Sequence, residues 1–340
     1  MLKEITIYDL ARELSLSPAT VSRGLKDNPA INKNTRKKIV EMAETMGYRS
    51  NNFASNLRKK KTNTIGVIIP RLNSHFVSSV LAAMEKVSND SGYNIIISQS
   101  MESVAKEKVN AKTMFDSRVD GLLVSLAYDT DNIDHFEKFT KRGIPVIFFD
   151  RVFQTNDNIC IVIDNFKNGC DVTTHLLGQG CKRIMHITGN IKRNVYFDRL
   201  NGHKKALTDA GINFEAELLI TGELNEVSGA EAAEKILAMK SLPDAIFFAN
   251  DICAASCMRV LKQNGIRIPE DIAIAGFNND PISRMVDPYI TTVNYPAYQM
   301  GEIAATCLIN HLNGGTNIHI TNKIILKSEL LIRESSLKNT

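Results

Sequence analysis

The chain has 340 residues, enough for two or three compact units, and a net charge of +4 that is unevenly placed: residues 1–61 carry +7 and the remainder −3. Its 44% hydrophobic content includes no apolar run of membrane-spanning length, and the N-terminus has no basic-then-apolar leader. Both argue against membrane and secreted classes and set a cytoplasmic expectation. The six cysteines are scattered; Cys253 and Cys257 stand four apart with no neighbouring His or second Cys pair. They read as reduced, buried thiols, and no metal site and no cofactor is expected.

Two short helices open the chain. Thr6 followed by Asp9 resembles a capping box, and Ser17-Pro18 sets a capping hydroxyl ahead of a proline at the first helical position. With only Ser15-Leu16 between them, the two pieces make a helix-turn-helix. The second helix is small on its leading edge (Pro18, Ala19) and tipped by Arg23, a shape and chemistry suited to a DNA major groove. The local charge agrees, because a basic module on a near-neutral body is the footprint of phosphate attraction. Ile31, Ile39, Met42, Ala43 and Met46 fall on one helical stripe between Asn32 as cap and Gly47 as stop, which predicts a third helix that completes the head. Residues 48–62 are polar and basic, with Phe53, Ala54 and Leu57 at helical spacing, and a helix this short is marginal in water. The segment reads either as a flexible linker or as one that folds on DNA and pushes Leu57 into the minor groove.

After Thr64 the pattern changes to short apolar strands alternating with helices. Strands are predicted at 65–69, 94–97, 121–124, 146–149, 183–187, 245–248 and 272–275, within a total of about ten, separated by helices of about 12–16 residues. Continuously apolar strands between helices indicate parallel sheets covered on both faces, and about ten strands imply two doubly wound subdomains. Ligands bind such sheets at the carboxyl ends of strands. The loops there (71–76, 125–128, 150–151, 189–199, 250–251 and 277–280) are rich in Asp, Asn and Arg, which suits polyhydroxylated or charged small molecules. No phosphate-binding loop, dinucleotide fingerprint, nucleophile elbow or zinc-protease motif is present, so no enzyme activity is expected. The seven His are dispersed, and His175 reads as structural.

The ordered motifs resemble the LacI/GalR family of bacterial transcription regulators over essentially the whole chain. They are Ile7-Tyr8-Asp9-Leu10-Ala11 with Ser17 to Arg23, Asn32 to Arg36 leading to Gly47-Tyr48, Arg118 to Leu123, and Gly143 to Val146 running to Asp150-Arg151. Pro243 to Phe247 with Asn250-Asp251, Gly265 to Ile272, Gly276 to Asn279 and Ile290 to Val293 complete the set. The resemblance implies an all-α helix-turn-helix head at 1–49, a hinge helix or linker at 50–61, and an α/β core of periplasmic-binding-protein type at 62–340. The core would consist of an N-subdomain (about 62–163 and 293–325) and a C-subdomain (about 164–292 and 326–340), with the chain crossing near 163, 292 and 325. It also implies a homodimer on a palindromic double-stranded DNA operator; because the chain stops soon after Glu334, with no room for the heptad tail of tetrameric members, a dimer is expected.

For DNA, the resemblance points to Thr6, Tyr8, Ser17, Pro18, Ala19, Thr20, Ser22, Arg23 and Thr35 in the head and to Asn51, Ala54, Leu57 and Arg58 in the hinge. For an effector in the cleft it points to Phe76, Asp150, Arg193, Arg199, Asn250, Asp251, Asn278 and Tyr295. Ser50 stands where the family usually has proline, and Lys26 where it has asparagine. Arg71 and Asn278 replace common aspartates, and Tyr295 a common glutamine. By that comparison the pocket loses negative charge, which admits a phosphorylated, acidic or acylated sugar beside the default neutral one. Control by a purine or nucleoside, or by a partner protein, is the alternative within the class. A transport-type sugar-binding protein is the reading from another class, and the DNA head argues against it.

The resemblance implies that Leu57, an apolar residue in a largely polar segment, is a wedge that enters the minor groove. Leu57→Ala is expected to lose DNA bending while effector affinity of the core stays intact. An unchanged bend angle in the mutant complex, measured by gel mobility or energy transfer, would make the segment a tether only.

Overall fold

A computed structural model describes residues 5–48, 61–153, 158–315 and 321–338. The hinge positions Asn51, Ala54, Leu57 and Arg58 lie outside the described residues. The chain divides into two units, residues 1–62 and 63–340.

The first unit contains α1 (Ile7–Glu13), α2 (Pro18–Leu25) and α3 (Lys33–Thr45). Each begins on the cap the sequence predicts. Thr6 and Asp9 form a reciprocal capping box, the Ser17 hydroxyl accepts from the Thr20 N–H, and the Asn32 side chain accepts from the Asn34 N–H. The turn between α1 and α2 passes through Ser15 in the left-handed region. Leu10, Ala11, Val21, Ile39 and Ala43 form the core, closed by partly buried Leu14, Leu16, Met42 and Tyr48. Ile31, expected on the α3 stripe, precedes the helix.

The second unit holds β1 (Thr64–Ile69), α4 (His75–Asp90), β2 (Asn94–Gln99), α5 (Val104–Asp116), β3 (Gly121–Val124), α6 (Glu137–Thr140), β4 (Val146–Phe149) and β5 (Ile159–Ile163). It continues with α7 (Asn165–Gly178), β6 (Ile184–Thr188), α8 (Asn194–Asp209), β7 (Leu219–Thr221), α9 (Glu226–Leu237), β8 (Ala245–Phe248), α10 (Asp251–Gln263) and β9 (Ala273–Ala275). The last elements are β10 (Thr292–Asn294), α11 (Ala297–Leu312), β11 (Lys323–Leu326) and β12 (Glu329–Leu331). Six strands make a parallel sheet in the order β11-β5-β4-β3-β1-β2, and four make a second parallel sheet, β7-β6-β8-β9. β10 and β12 pair antiparallel.

Both faces of the larger sheet are covered along its inner strands β1, β3, β4 and β5, as their unbroken apolar runs require, while the edge strand β2 is largely exposed. Along β1, Ile65, Val67 and Ile69 join the core of α4 and α11 (Val80, Met84, Met300, Leu308), while Ile68 joins that of α5 and α6 (Met114, Phe139). In the smaller sheet Ile246 and Phe248 face α9 and α10, while Ala245 and Phe247 face α7. The sequence did not single out the strands at 159–163, 219–221, 292–294, 323–326 and 329–331. Between β3 and β4 a short 3-10 turn (Asp134–Phe136) and the four-residue α6 replace the expected long helix.

α7 and α8 cross with their backbones in contact. A Cβ on Gly202 would lie 2.1 Å from the Phe166 carbonyl oxygen, and one on Gly169 would lie 2.3 Å from the Arg199 carbonyl oxygen. Since α8 carries Arg199 to the cleft, this crossing sets its position. Gly202→Ala is expected to destabilise the core by about 1–3 kcal/mol through overpacking. Denaturant unfolding followed on the core checks this, and a variant as stable as the parent would show that the helices separate without cost.

Candidate functional sites: a DNA-reading head and a cleft

In the head, α2 turns Ala19 and Arg23 to solvent, with Pro18, Thr20 and Ser22 half-exposed beside them; Thr6, Tyr8 and Ser17 are also exposed and Thr35 partly so. The hydroxyls of Thr6 and Ser17 are engaged locally. Ser17 Oγ lies 3.1 Å from the Thr20 amide nitrogen and 2.8 Å from the Thr20 hydroxyl, and Thr6 Oγ1 donates to Asp9 at 2.6 Å. The Arg23 side chain makes no ion pair or hydrogen bond among the described residues, so its guanidinium donors stay available. An Arg36–Asp27 ion pair fixes the turn that follows α2.

In the second unit, the carboxyl ends of strands from both sheets surround a cavity of about 370 Å³. Arg71, Phe76, Glu102, Tyr128, Asp150 and Arg151 line it from the six-stranded side. Tyr196, Arg199, Glu223, Asn250, Asn278 and Asp280 line it from the four-stranded side, with Tyr295 after β10. That is where doubly wound sheets place ligands. Phe76 and Tyr295 pack with ring centroids 4.5 Å apart, and the Tyr295 hydroxyl donates to Asp150 Oδ1 at 2.8 Å. Burial pushes the Asp150 carboxyl up, against the pull of Arg151 and of the Tyr295 hydrogen bond. Asp150 (φ 57°), Asn278 (φ 105°) and Asn279 (φ 57°) hold left-handed backbone that non-glycine residues rarely take. Such outliers persist where the surroundings fix them, and they cluster at ligand sites.

Arg199 is 3% exposed. Its Nε donates to Asn165 and one Nη to the Ala249 carbonyl, both at 2.9 Å, and the guanidinium carbon sits 3.5 Å from the centre of the Phe277 ring. Its other Nη has no protein partner among the described residues, which leaves donors for a ligand. Burial lowers its pKa, opposed by Tyr295, Tyr196 and Asp150.

The other two arginines of the cavity are compensated. Glu102 receives Arg151 at 2.7 Å and Arg71 at 3.4 Å, and Arg71 also reaches Glu223 at 3.3 Å. Arg151 stacks 4.3 Å over Tyr128 and donates to the Tyr196 hydroxyl at 3.1 Å. Three arginines thus face five carboxyls: Glu102, Asp150, Glu223, Glu226 and Asp280. The cavity holds more carboxyls than arginines. Arg71 does replace a family aspartate, but Glu102 and Glu223 meet it, and neither was read as a site residue because β7 was not anticipated and no loop was assigned after β2.

Of the expected effector residues, Phe76, Asp150, Arg199, Asn250, Asn278 and Tyr295 line the cavity. Arg193 and Asp251 do not. Arg193 donates to the Thr130 carbonyl and is buried in that contact. Asp251 is fully buried behind the wall, where Oδ1 accepts from the Thr292 hydroxyl and Oδ2 from the Asp280 N–H, each at 2.7 Å. Asn250 has structural bonds too: it caps α10 and donates to the Leu224 carbonyl. Tyr128, Arg151, Tyr196 and Asp280 fall in loops already selected by their place after strands.

A helix-turn-helix head followed by two parallel sheets around a ligand-sized cavity defines a DNA-binding regulator with a sensing core. Residues 6–51 match the lacI family of bacterial regulatory proteins, and residues 173–336 match the periplasmic binding protein-like domain. The chain is 34% identical to catabolite control protein A of Priestia megaterium over 313 residues, covering 92% of this chain and 94% of that one. It is 28% identical to the repressor PurR of Photobacterium profundum, covering 97% and 98% of the two chains. A lac repressor dimer bound to operator and the anti-inducer ONPF superposes with a TM-score of 0.87 at 25% identity, over 98% of this chain and 100% of that chain. The chain belongs to the lacI family: it is a DNA-binding transcription regulator and not an enzyme.

Arg23→Ala is expected to relax sequence preference at one base pair per half-site, at a cost of about 1–3 kcal/mol for each lost arginine–guanine contact. Binding to a library of operator variants measures this. A uniform loss of affinity with unchanged preference would make Arg23 a phosphate contact.

Proposed function

We propose that the protein is a repressor that binds a pseudo-palindromic operator as a homodimer and is controlled by a small, polyhydroxylated, sugar-like effector in the cleft. The observation that carries the effector reading is a cavity lined from both sheets at their carboxyl ends, with Arg199 donors and the Asp150–Tyr295 pair facing it. The paired state of Arg71 and Arg151 favours a ligand without phosphate or carboxylate on their side of the cavity, since an anion binding these two arginines would have to displace Glu102 or Glu223.

Support for the dimer comes from the free edge strand β2. Ile96 and Ile97 on β2, Met101 just beyond it and Val109 on α5 are exposed together, and an apolar sheet edge of this kind is a template for pairing with a second copy. Two identical heads on a twofold axis then require inverted half-sites.

A ligand touching both walls of the cavity biases their relative placement, and coupling of about 1–3 kcal/mol is typical of allosteric proteins. Thermal-shift screening of the full chain against sugars, sugar derivatives, nucleosides and purine bases identifies the effector. Arg199→Ala is expected to abolish the effector's influence on operator affinity. A mutant with the full parental response would remove Arg199 from the site, and a screen answered only by purines or nucleosides would overturn the sugar reading.

A further inference from the structure

Glu102 holds two of the cavity's arginines. It lines the cavity from the turn after β2, beside Arg71, Tyr128 and Arg151. Met101 (φ 51°) and Glu102 (φ 61°) both take left-handed backbone, and neither is a glycine. Two such residues in succession persist only where their surroundings fix them. Here the fixing bonds run to the loop after β3: the Tyr128 N–H donates to Glu102 Oε2 at 3.2 Å, and the Val104 N–H donates to Asp129 Oδ1 at 2.6 Å. Arg151 Nη1 donates to both Glu102 oxygens, at 3.0 and 2.7 Å, and Arg71 Nε lies 3.4 Å from Oε1. The Glu102 side chain is 8% exposed and that of Arg151 11%, so the pair sits largely out of water, where losing either partner is costly. From the opposite wall Glu223 meets Arg71 at 3.3 Å. Two guanidiniums and two carboxylates therefore compensate one another within the protein.

Arginine donors recognise a ligand's phosphate or carboxylate through the same bonds that Glu102 accepts here. We propose that Glu102 is a specificity-determining residue of the cleft: its carboxylate takes, from within the protein, the place between Arg71 and Arg151 that the phosphate or carboxylate of an acidic ligand would take. An acidic ligand reaches these arginines only by expelling Glu102, which leaves a carboxylate without its counter-charge. A neutral polyol leaves the group intact and takes its polar contacts from Arg199 and the Asp150–Tyr295 pair. The inference rests on the effector reading given above and assigns the residue that enforces its charge class.

The test removes the carboxylate and looks for an anion site in its place. The full chain and its Glu102→Ala and Glu102→Gln variants are compared by thermal shift and calorimetric titration at constant ionic strength. The ligands are acetate, inorganic phosphate, and a panel of pentoses and hexoses with their phosphates. The basic head is common to all three proteins, so anions bound there contribute equally. Alanine opens the place between the arginines, whereas glutamine fills it with a neutral amide. Glu102→Ala is expected to bind acetate or phosphate roughly tenfold or more tighter than the parent chain does. It is also expected to prefer a sugar phosphate to the neutral sugar, while the parent chain prefers the neutral one. Glu102→Gln is expected to gain less, in the same direction, and carries the test if the alanine variant fails to fold; a cooperative unfolding transition reports folding. Parental anion affinity in the folded variants overturns the assignment, as does a parent chain that prefers a phosphorylated sugar to its neutral counterpart. Anion capture by Glu102→Ala, with no sugar bound by any of the three proteins, upholds the assignment and overturns the sugar-effector reading.

Discussion

One amide side chain ties the two walls of the cleft together. Asn194, the first residue of α8, accepts from the Val152 N–H at 2.9 Å and donates to the Asp150 carbonyl at 3.0 Å. Both bonds go to the main chain of one segment beyond β4, so they fix orientation as well as distance. Neighbouring contacts follow the same line: Arg193 reaches the Thr130 carbonyl, Asn190 the Tyr128 carbonyl, and Arg151 the Tyr196 hydroxyl. The N-terminal end of α8 is thereby bound to loops of the six-stranded sheet, and this binding brings Tyr196 and Arg199 within reach of Asp150. Arg193 belongs to this clasp rather than to the cavity surface.

The electrostatics of the cavity follow from the same closure. Arg151 is held in a ring of Tyr196, Tyr128, Glu102 and Asp150 with little of its side chain exposed. Burial would lower its pKa, yet these neighbours outweigh burial and raise it. A second carboxylate system, Glu107 with the Ala127 N–H, the Thr130 hydroxyl and His135, lies buried beneath the loop that Arg193 contacts. The walls of the cleft are therefore held by charge-assisted bonds that are satisfied within the protein.

Much of this was legible in the sequence where local chemistry decides the outcome. The caps of the head helices depend on residues three apart, so Thr6, Ser17 and Asn32 announced them. The loops that carry Tyr128, Arg151, Tyr196 and Asp280 were selected by the rule that strands present ligand sites at their carboxyl ends. What stayed hidden depends on partners far apart in the chain. Arg71 and Glu223 are separated by 152 residues, and nothing in either segment shows that they meet. Asp251 sits at a helix start beside a cavity residue, and only packing shows that Thr292 and the Asp280 N–H enclose it. The strands at 219–221, 292–294 and 329–331 are three residues long, too short for periodicity to register.

The antiparallel pairing of β10 with β12 has a mechanical meaning. β10 lies on the path from β9 of the smaller sheet to α11 on the larger, and β12 lies on the return path from β11 to Ser335, whose hydroxyl donates to Ile274 of β9. Thr292, Val293 and Asn294 are laddered to Leu331, Leu330 and Glu329, so the two crossings form one ribbon that bends and twists but does not stretch. In a rotation of one sheet against the other about that ribbon, displacement would grow with distance from it. Tyr295 follows the ribbon directly and so sits at the fulcrum. Its ring is the part of the cavity that such a rotation would displace least, a surface that a bound molecule would keep as the walls turn.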